Sequence, residues 1–547
     1  MKKYIFFTLI FFVYSLNGQE KLTETKKLAS VAKIWGFLKY YHPEVANGMY
    51  DWDKQLLEIL PNVEKANTKQ ELSNVYLNWI STLGEIKKCT QCDKKRSYEY
   101  FDKNFDVSWI NDNKTFTTEL SEKLKFIENN RHQGNKYYVR SIKNVCNIEI
   151  TNEKIYNNFD WNDKNLRLLT LFHYWNIIEY FFPYKYQIDT KWSDILNDMI
   201  PKFLYPKTEM EFHLAMLELV VSIDDSHANF SSNNTKTYFG NYSIPAKFHL
   251  IENKAVIVDF HNDSLAKLDD IRIGDNITKV NNTEVEDLFK QNVKYINGSN
   301  IPRKKYKAIN MIFNGTSDTV EIEFIRDNKT YVKKIKRYIF KDLDKKPKSP
   351  EEKFKLLDGN IGYVNMGILE KNDVTDMMDK LKQTKAIIFD IRNYPKGTFY
   401  SISSYISSKV NDFYKVTYPV LDYPGKFIWR DGNQCGRNSN LSYQGKVILL
   451  VNEATQSHAE FTAMCLQTGD NVTTIGSQTS GADGDVEKII MKGGYQTYIS
   501  GIGIFYPNNT ETQRKGVKVD IEMRPTIQGI IKGKDEVLEK AIEFANE

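Results

Sequence analysis

The segment Thr455-Gln456-Ser457-His458-Ala459-Glu460 puts a serine hydroxyl where two structural signals meet. Before it, Lys446-Val447-Ile448-Leu449-Leu450-Val451-Asn452 is a continuous apolar run, the pattern of a strand buried on both faces. After it, Phe461, Met464 and Leu466 continue as a helix. Ser457 therefore opens a helix at the carboxyl end of a strand, where α/β sheets place their ligands. The free N–H groups and positive dipole end of that helix can stabilise an oxyanion. Serine is also a preferred helix cap, so position alone does not separate a nucleophile from a cap. A nucleophilic hydroxyl needs a neighbouring base, and histidine is the side chain that titrates near neutrality. His458 adjoins Ser457, but adjacent helical residues diverge by about 100°, which turns its ring away from the hydroxyl. The other candidate is His227, in Ile223-Asp224-Asp225-Ser226-His227-Ala228-Asn229-Phe230.

His227 ends the second copy of an internal repeat. Two segments match without gaps at an offset of about 140 residues. Trp35 pairs with Trp175, Tyr40 with Tyr180, Pro43 with Pro183, Trp52 with Trp192, Pro61 with Pro201, Thr68 with Thr208 and Glu71 with Glu211. Apolar residues recur at helical spacing in both, and each proline is expected to end one helical run before the next. In the first copy, Ile86 and Lys87 occupy the positions of Ser226 and His227, and neither accepts a proton at neutral pH. The first copy is therefore expected to be structural or substrate-gating.

From Tyr242 to Tyr338 the pattern changes to period two, as in Ala255-Val256-Ile257-Val258 and Val320-Glu321-Ile322-Glu323-Phe324. Between these runs, Gly274-Asp275-Asn276-Ile277 leads into a strand, Asn281-Asn282 turns, and a helix is expected over Asp287 to Asn292. This stretch resembles a PDZ domain, whose inner segment reads Gly-Asp-x-Ile-x-x-Ile-Asn-Gly. The resemblance implies peptide capture by addition of a strand to a sheet edge. The usual Gly-Leu-Gly-Phe carboxylate loop is not evident here.

Beyond the period-two region, strands and helices alternate, which argues an α/β domain. Five segments stand in a telling order. Phe389-Asp390-Ile391-Arg392-Asn393-Tyr394-Pro395-Lys396-Gly397 resembles Asp-Leu-Arg-x-Asn-x-Gly-Gly, with Lys396 where a glycine is usual. Asn452 to Glu460 resembles Asn-x-x-Thr-x-Ser-x-x-Glu. Ile475-Gly476-Ser477-Gln478-Thr479-Ser480-Gly481 resembles Ile-Gly-x-x-Thr-x-Gly. Gly516-Val517-Lys518-Val519-Asp520-Ile521 resembles Gly-Ile-x-Pro-Asp-Ile, and Asp535 to Ala541 resembles a closing helix. As a set behind a PDZ-like region, from about Leu217 onward, they resemble the carboxyl-terminal processing peptidase and tricorn-core family of serine peptidases, also called tail-specific proteases.

That resemblance implies a multidomain α+β chain with a crotonase-like C-terminal α/β domain and Ser457 as nucleophile. One branch of the family uses a lysine base in Thr-x-Gly-Lys-Gly; here Ala482 stands at that position, and Lys488 lies off the motif. The tricorn-like branch uses a Ser-His pair, which Ser226-His227 matches. The resemblance then assigns His227 as general base and Ser226 as a residue that helps orient its ring. It assigns the backbone N–H groups of His458 and Gly397 to the oxyanion. The acidic group that fixes the imidazole lies shortly before the Gly-Val segment in that branch: the matching position holds Gln513, with Glu511 two residues earlier.

The bulk properties bound the rest. At 547 residues, about three or four domains are expected. A net charge of +5 with no basic block gives no case for nucleic acid. Met1-Lys2-Lys3, the apolar run Tyr4 to Leu16 and Asn17-Gly18-Gln19 read as a secretory signal peptide, so an exported protein, periplasmic or secreted, without stable membrane insertion is expected. Of the five cysteines, Cys89 and Cys92 have the spacing of half a zinc site, but no second ligand pair exists, which leaves a local disulfide or two thiols. No cofactor and no metal are expected. The domains read as a signal peptide over 1–19, helical units over 20–160 and 161–241, a PDZ-like domain over 242–345 and a serine peptidase domain over 346–547. The expected activity is hydrolysis of peptide bonds in polypeptide substrates through an acyl-enzyme. The departures at Gln513 and Lys396 leave a non-catalytic binding relative as the alternative, and an esterase-like hydrolase would leave the PDZ-like region without a role. Neither substrate nor oligomeric state is legible.

Overall fold

The computed structural model describes residues 21–547 apart from 93, 95–96, 143–146 and 344–350. The signal-peptide segment and the 345/346 boundary thus lie outside the described residues.

The repeat folds twice into the same three-helix unit. The first comprises α1 (Glu24–Tyr41), α2 (Trp52–Lys65) and α3 (Lys69–Ser81). The second comprises α4 (Lys164–Phe181), α5 (Trp192–Leu204) and α6 (Glu209–Val221). The matched tryptophans explain the matching geometry. The Trp35 indole donates to the Trp52 carbonyl and Trp52 donates to that of Trp35, both at 3.0 Å. Trp175 and Trp192 repeat the exchange at 2.9 and 3.0 Å. Thr68 and Thr208 cap α3 and α6 by accepting from the N–H of Glu71 and Glu211. Pro61 and Pro201 do not end their helices, contrary to the sequence expectation. Each lies inside a helix that runs on to Lys65 or Leu204. The buried Leu60 and Val63, and Ile200 and Phe203, hold these last turns in place despite the missing N–H. α1 and α4 pack closely enough that a Cβ on Gly36 would lie 1.7 Å from Asn176 Oδ1.

One hydrophobic core runs through both units and takes in Leu421, Phe427, Ile489 and Phe505 from the C-terminal region. Cys89 and Cys92 form a disulfide.

The period-two region forms β1 (Ala246–Ile251), β2 (Lys254–Phe260), β3 (Asn276–Val280), β4 (Thr319–Arg326) and β5 (Lys329–Lys336), antiparallel in the order β5-β4-β3-β2-β1. Asn281 and Asn282 both have positive φ, as a tight turn out of β3 requires. A helix over Ile301–Phe313 (α7), not expected from the sequence, covers this sheet and faces the C-terminal region.

The C-terminal region contains, in chain order, β6 (Phe354–Leu357), β7 (Ile361–Asn365), β8 (Ala386–Asp390), β9 (Lys446–Val451), α8 (His458–Leu466), β10 (Val472–Gly476), β11 (Val486–Ile490), β12 (Gln496–Ser500), β13 (Ile521–Glu522) and α9 (Glu536–Asn546). The sheet order is β6-β7-β8-β9-β10-β13, parallel from β7 onward. β8 and β9 are buried throughout except at Lys446, as their unbroken apolar sequences demand. β11 and β12 form a hairpin off this sheet. The chain is thus a multidomain mixture of helical and sheet regions.

Candidate active site

Ser457 sits between β9 and α8 with φ +56° and ψ −124°. A non-glycine residue in this conformation is strained and must be held by its surroundings. The motif residues do the holding. Thr455 Oγ1 donates to the Ile391 carbonyl at the end of β8 at 2.9 Å, which ties the serine loop to its neighbour in the sheet. The Ser457 N–H donates to the Ala482 carbonyl at 2.9 Å and to Glu460 Oε2 at 3.2 Å. Glu460, 1% exposed, also accepts from Thr479 Oγ1 and from the N–H groups of Gly481 and Ala482 at 2.5, 2.7 and 3.0 Å. Burial raises its carboxyl above the usual range, against these hydrogen bonds. One carboxyl thus clamps the serine elbow to the turn of the third motif. Ala482 in that turn is fully buried, and Lys488 is exposed on β11.

His227 enters from the loop after α6. Its Nδ1 lies 3.0 Å from Ser500 Oγ at the end of β12 and 3.4 Å from Asp225 Oδ1. Asp225 is fully buried and accepts from the His227 N–H at 3.0 Å and the Ser500 N–H at 2.7 Å. Burial opposes its ionisation, but the histidine and the two backbone donors outweigh that and hold its carboxyl below the usual range. His227 Nε2 is buried and has no hydrogen-bond partner among the described residues.

A short polar chain joins the two loops. Ser226 Oγ accepts from Ser480 Oγ at 2.9 Å, and Ser480 Oγ lies 3.1 Å from Gln456 Oε1, so the residues before His227 and before Ser457 meet at one hydroxyl. Ser226 also exchanges hydrogen bonds with Ser299. Its hydroxyl is therefore spent on loop–loop contacts and not on the His227 ring. From α7, Arg303 donates to the Glu453 carbonyl at 2.9 Å and to Gln456 Oε1 at 2.6 Å, bracing the serine loop from the other side.

Neither the downstream carboxyl nor the amide named by the family pattern hydrogen-bonds the imidazole. Glu511 accepts from Lys103 and from Tyr186, each at 2.9 Å. Gln513 is buried with no hydrogen-bond partner for its amide among the described residues. The polar groups on the imidazole are instead Asp225 and Ser500. Asp225 was not singled out in the sequence; its one signal is its place two residues before the histidine, from which a carboxylate can fold back onto the ring. Ser500 carries no sequence signal, because only the hairpin brings it within reach.

The His458 ring turns to Tyr394 and Phe399, with centroids 5.9 and 5.4 Å away. The His458 N–H lies in the first turn of α8, where helical N–H groups have no partner within the helix. Gly397, φ +74°, neighbours the same ring: an added Cβ would lie 3.8 Å from His458 Nε2, an ordinary van der Waals distance. Its loop is fixed by Arg392, which pairs with Asp390 at 2.6 Å and Asp535 at 2.8 Å. Beside Ser457 opens a cavity of about 620 Å³ with walls of Phe399, Tyr414, Phe461, Ile502 and Ile504. Among the described residues there is no cluster of His, Cys, Asp and Glu that would hold a metal ion.

A strained serine on a strand-to-helix elbow, beside a cavity and joined through Ser480 to the loop of an oriented histidine, is the arrangement of a serine hydrolase. The comparisons make the class specific. Residues 360–523, which include the elbow and the parallel sheet, match the family model for peptidase family S41, and the chain is a serine peptidase. No curated protein matches. Among solved structures, mature CPAF complexed with lactacystin superposes with a TM-score of 0.55 at 13% identity, over 69% of this chain and 97% of that one. The photosystem II D1 C-terminal processing protease gives a TM-score of 0.38 at 14% identity, over 68% of this chain and 98% of that one. At such identities the likeness to CPAF speaks for the fold alone.

Proposed function

We propose that the chain is an exported endopeptidase that cleaves polypeptides through an acyl-enzyme on Ser457, with His227 as general base. Ser457 Oγ attacks the scissile carbonyl carbon and its proton passes to His227 Nε2. The negative oxygen of the tetrahedral intermediate takes the N–H groups of His458 and Gly397. Collapse breaks the C–N bond, and the departing amine takes the proton from Nε2. Water, deprotonated by the same nitrogen, then hydrolyses the ester. Asp225 and Ser500 hold Nδ1, so that Nε2 is the nitrogen presented for the transfer.

The observation that carries this reading is the asymmetry of the imidazole: Nδ1 has two polar neighbours, and Nε2 is buried with none. Nε2 and Ser457 Oγ are not hydrogen-bonded to each other in the structure, as is frequent in enzymes without substrate, where that contact tightens on binding. The lysine route has no support at Ala482.

The same reading takes residues 242–345 as a PDZ-like, peptide-capturing domain and 346–547 as a crotonase-like catalytic domain. Helical units cover 20–160 and 161–241, and a signal peptide over 1–19 directs export to the periplasm or the exterior. The antiparallel sheet with its covering helix and the mostly parallel C-terminal sheet support the two domain assignments. A fluorophosphonate probe tests the core of the proposal. It is expected to label Ser457 in the intact chain, and labelling is expected to disappear in Ser457→Ala and to fall at least a hundredfold in rate in His227→Ala. Unchanged labelling in His227→Ala overturns the assignment of the base.

A further inference from the structure

The loop that carries His227 is gripped from one side by α7 and the residues leading into it. Lys304 Nζ pairs with Asp224 Oδ1 at 2.7 Å. Asn297 Nδ2 and Lys307 Nζ both donate to the Ser226 carbonyl, at 2.9 and 3.1 Å. That carbonyl belongs to the peptide bond whose N–H is His227's own, and this N–H donates to Asp225 Oδ1 at 3.0 Å. A carbonyl oxygen has two lone pairs, so the two donors use both. The Ser226–His227 peptide is thus held at its oxygen by α7 and its lead-in, and at its N–H by the aspartate that faces the ring.

Lys307 is unlike the other donors. Lys304 and Lys307 stand three residues apart and share a face of α7. Lys304 has a carboxylate as its partner, whereas Lys307 has a neutral carbonyl. Burial lowers the pKa of Lys307 to about 7, Arg303 on the same helix adds to the fall, and Asp225 opposes it. Placing a charge in this half-buried position costs free energy that a second neutral donor would not. What the ammonium adds is a positive charge that acts on Asp225, whose carboxylate lies 3.4 Å from His227 Nδ1. The plane of the Ser226–His227 peptide sets the direction in which the histidine side chain leaves the backbone, so a turn of that plane displaces Nε2.

We propose that Lys307 is a positioning residue for the base: as an ammonium it fixes the Ser226–His227 peptide and, with Asn297, the place of His227 Nε2. It acts through His227 and takes no proton from Ser457. This role rests on His227 being the base, as proposed above. The reaction then needs two groups in opposite states, His227 neutral and Lys307 protonated. Protonation of His227 lowers the rate on the acid side, and loss of the Lys307 proton lowers it on the alkaline side. The charged groups that face Lys307 are Arg303, which keeps its proton, and Asp225, whose carboxyl is held below the usual range, so neither titrates alongside it.

The test is the second-order rate constant for labelling of Ser457 by a fluorophosphonate probe in the full chain, measured from about pH 5 to about pH 9. Lys307→Met keeps the stem and loses the charge, and is expected to slow labelling at least about tenfold at neutral pH, the cost of a misplaced catalytic group. Lys307→Arg, charged throughout this range, is expected to stay active and to lose the alkaline limb. Lys305→Met removes a lysine of the same helix that holds Asn253 instead, and is expected to match the parent. The role is overturned by a rate within about threefold of the parent in Lys307→Met, or by an equal loss in Lys305→Met. It is also overturned if Lys307→Arg keeps the parent's alkaline limb or is inactive at every pH. Should Lys307→Met fail to fold, the Lys307→Arg profile decides. His227→Ala, measured beside them, separates the two readings. An unreactive His227→Ala with a reactive Lys307→Met removes the positioning role alone, whereas a reactive His227→Ala, or a parent that is never labelled, removes the base assignment and this role with it.

Discussion

At the scale of single residues, the roles divide by what each group touches. His227→Ala is expected to lower kcat/KM on a peptide substrate by about 10²- to 10⁴-fold, the usual cost of losing a general base, and retention of more than about a tenth of the activity would contradict it. Asp225→Asn and Glu511→Gln separate two candidates for orienting the ring. Because Asp225 faces Nδ1 while Glu511 is occupied by Lys103 and Tyr186, the first is expected to cost at least tenfold more in kcat than the second. Steady-state kinetics on the pair decides this. Asp483 offers a test by pH. Burial first, then the neighbouring Glu460, pushes its carboxyl well above the usual range, and its Oδ2 has no hydrogen-bond partner among the described residues. The folded chain therefore keeps a proton that the unfolded chain releases above about pH 3.9. Stability contributed by that proton is present below this value and is lost as pH rises through the folded value. Asp483→Asn removes the dependence. Its melting temperature is expected to gain on the parent by at least about 2 °C more at pH 8 than at pH 5, read by thermal denaturation.

At the scale of elements, the hairpin β11–β12 links the helical units to the site. At its tip, Lys492 has a fully buried side chain that pairs with Asp53 of α2 at 2.8 Å and with Glu153 at 3.1 Å. The outer end of β12 carries Ser500, which meets His227 and Asp225. Removing one partner of a buried pair leaves an uncompensated charge and costs about 3–5 kcal/mol. Lys492→Met is therefore expected to lower stability by that order in chemical denaturation and, by loosening the hairpin, to lower kcat more than it changes KM. Lys87→Ala is the contrasting case. Lys87 occupies the position of His227 in the first unit but is exposed, so the pH–rate profile is expected to be unchanged. A lost limb in that profile would show proton transfer where none is assigned.

At the scale of the whole molecule, the two helical units are not independent. Their core is continuous and includes residues of the C-terminal region. Tyr41 and Tyr180 reach that region through hydrogen bonds to Pro424 and Gly425. A chain lacking residues 21–160 is thus expected to expose a large apolar surface and to aggregate, whereas single substitutions on the outer faces of α2 and α3 should leave it soluble. Size-exclusion chromatography of the truncated chain checks this; a monodisperse, folded product would show that the first unit is an appendage.

Ser457, the strand before it, the helix after it and the repeat were legible in the sequence because each is a local pattern: an apolar run, a helical period, a matched pair of tryptophans. The helix Ile301–Phe313 escaped the period-two reading of its region, and the prolines at 61 and 201 misled because burial of the flanking side chains outweighs one lost hydrogen bond. The serine elbow's strain was not legible either, since it depends on a carboxyl at Glu460 shared among three backbone donors and a threonine from two different loops. The partners of the imidazole were settled by tertiary structure alone. His227 and Ser500 are separated by 273 residues, and no spacing rule connects them; they meet because the hairpin is pinned at its tip by charges from the first helical unit. Sequence determined which chemistry the chain can attempt, and the long-range packing decided which groups stand next to it, because hydrogen bonds form between atoms that are close in space whatever their distance along the chain.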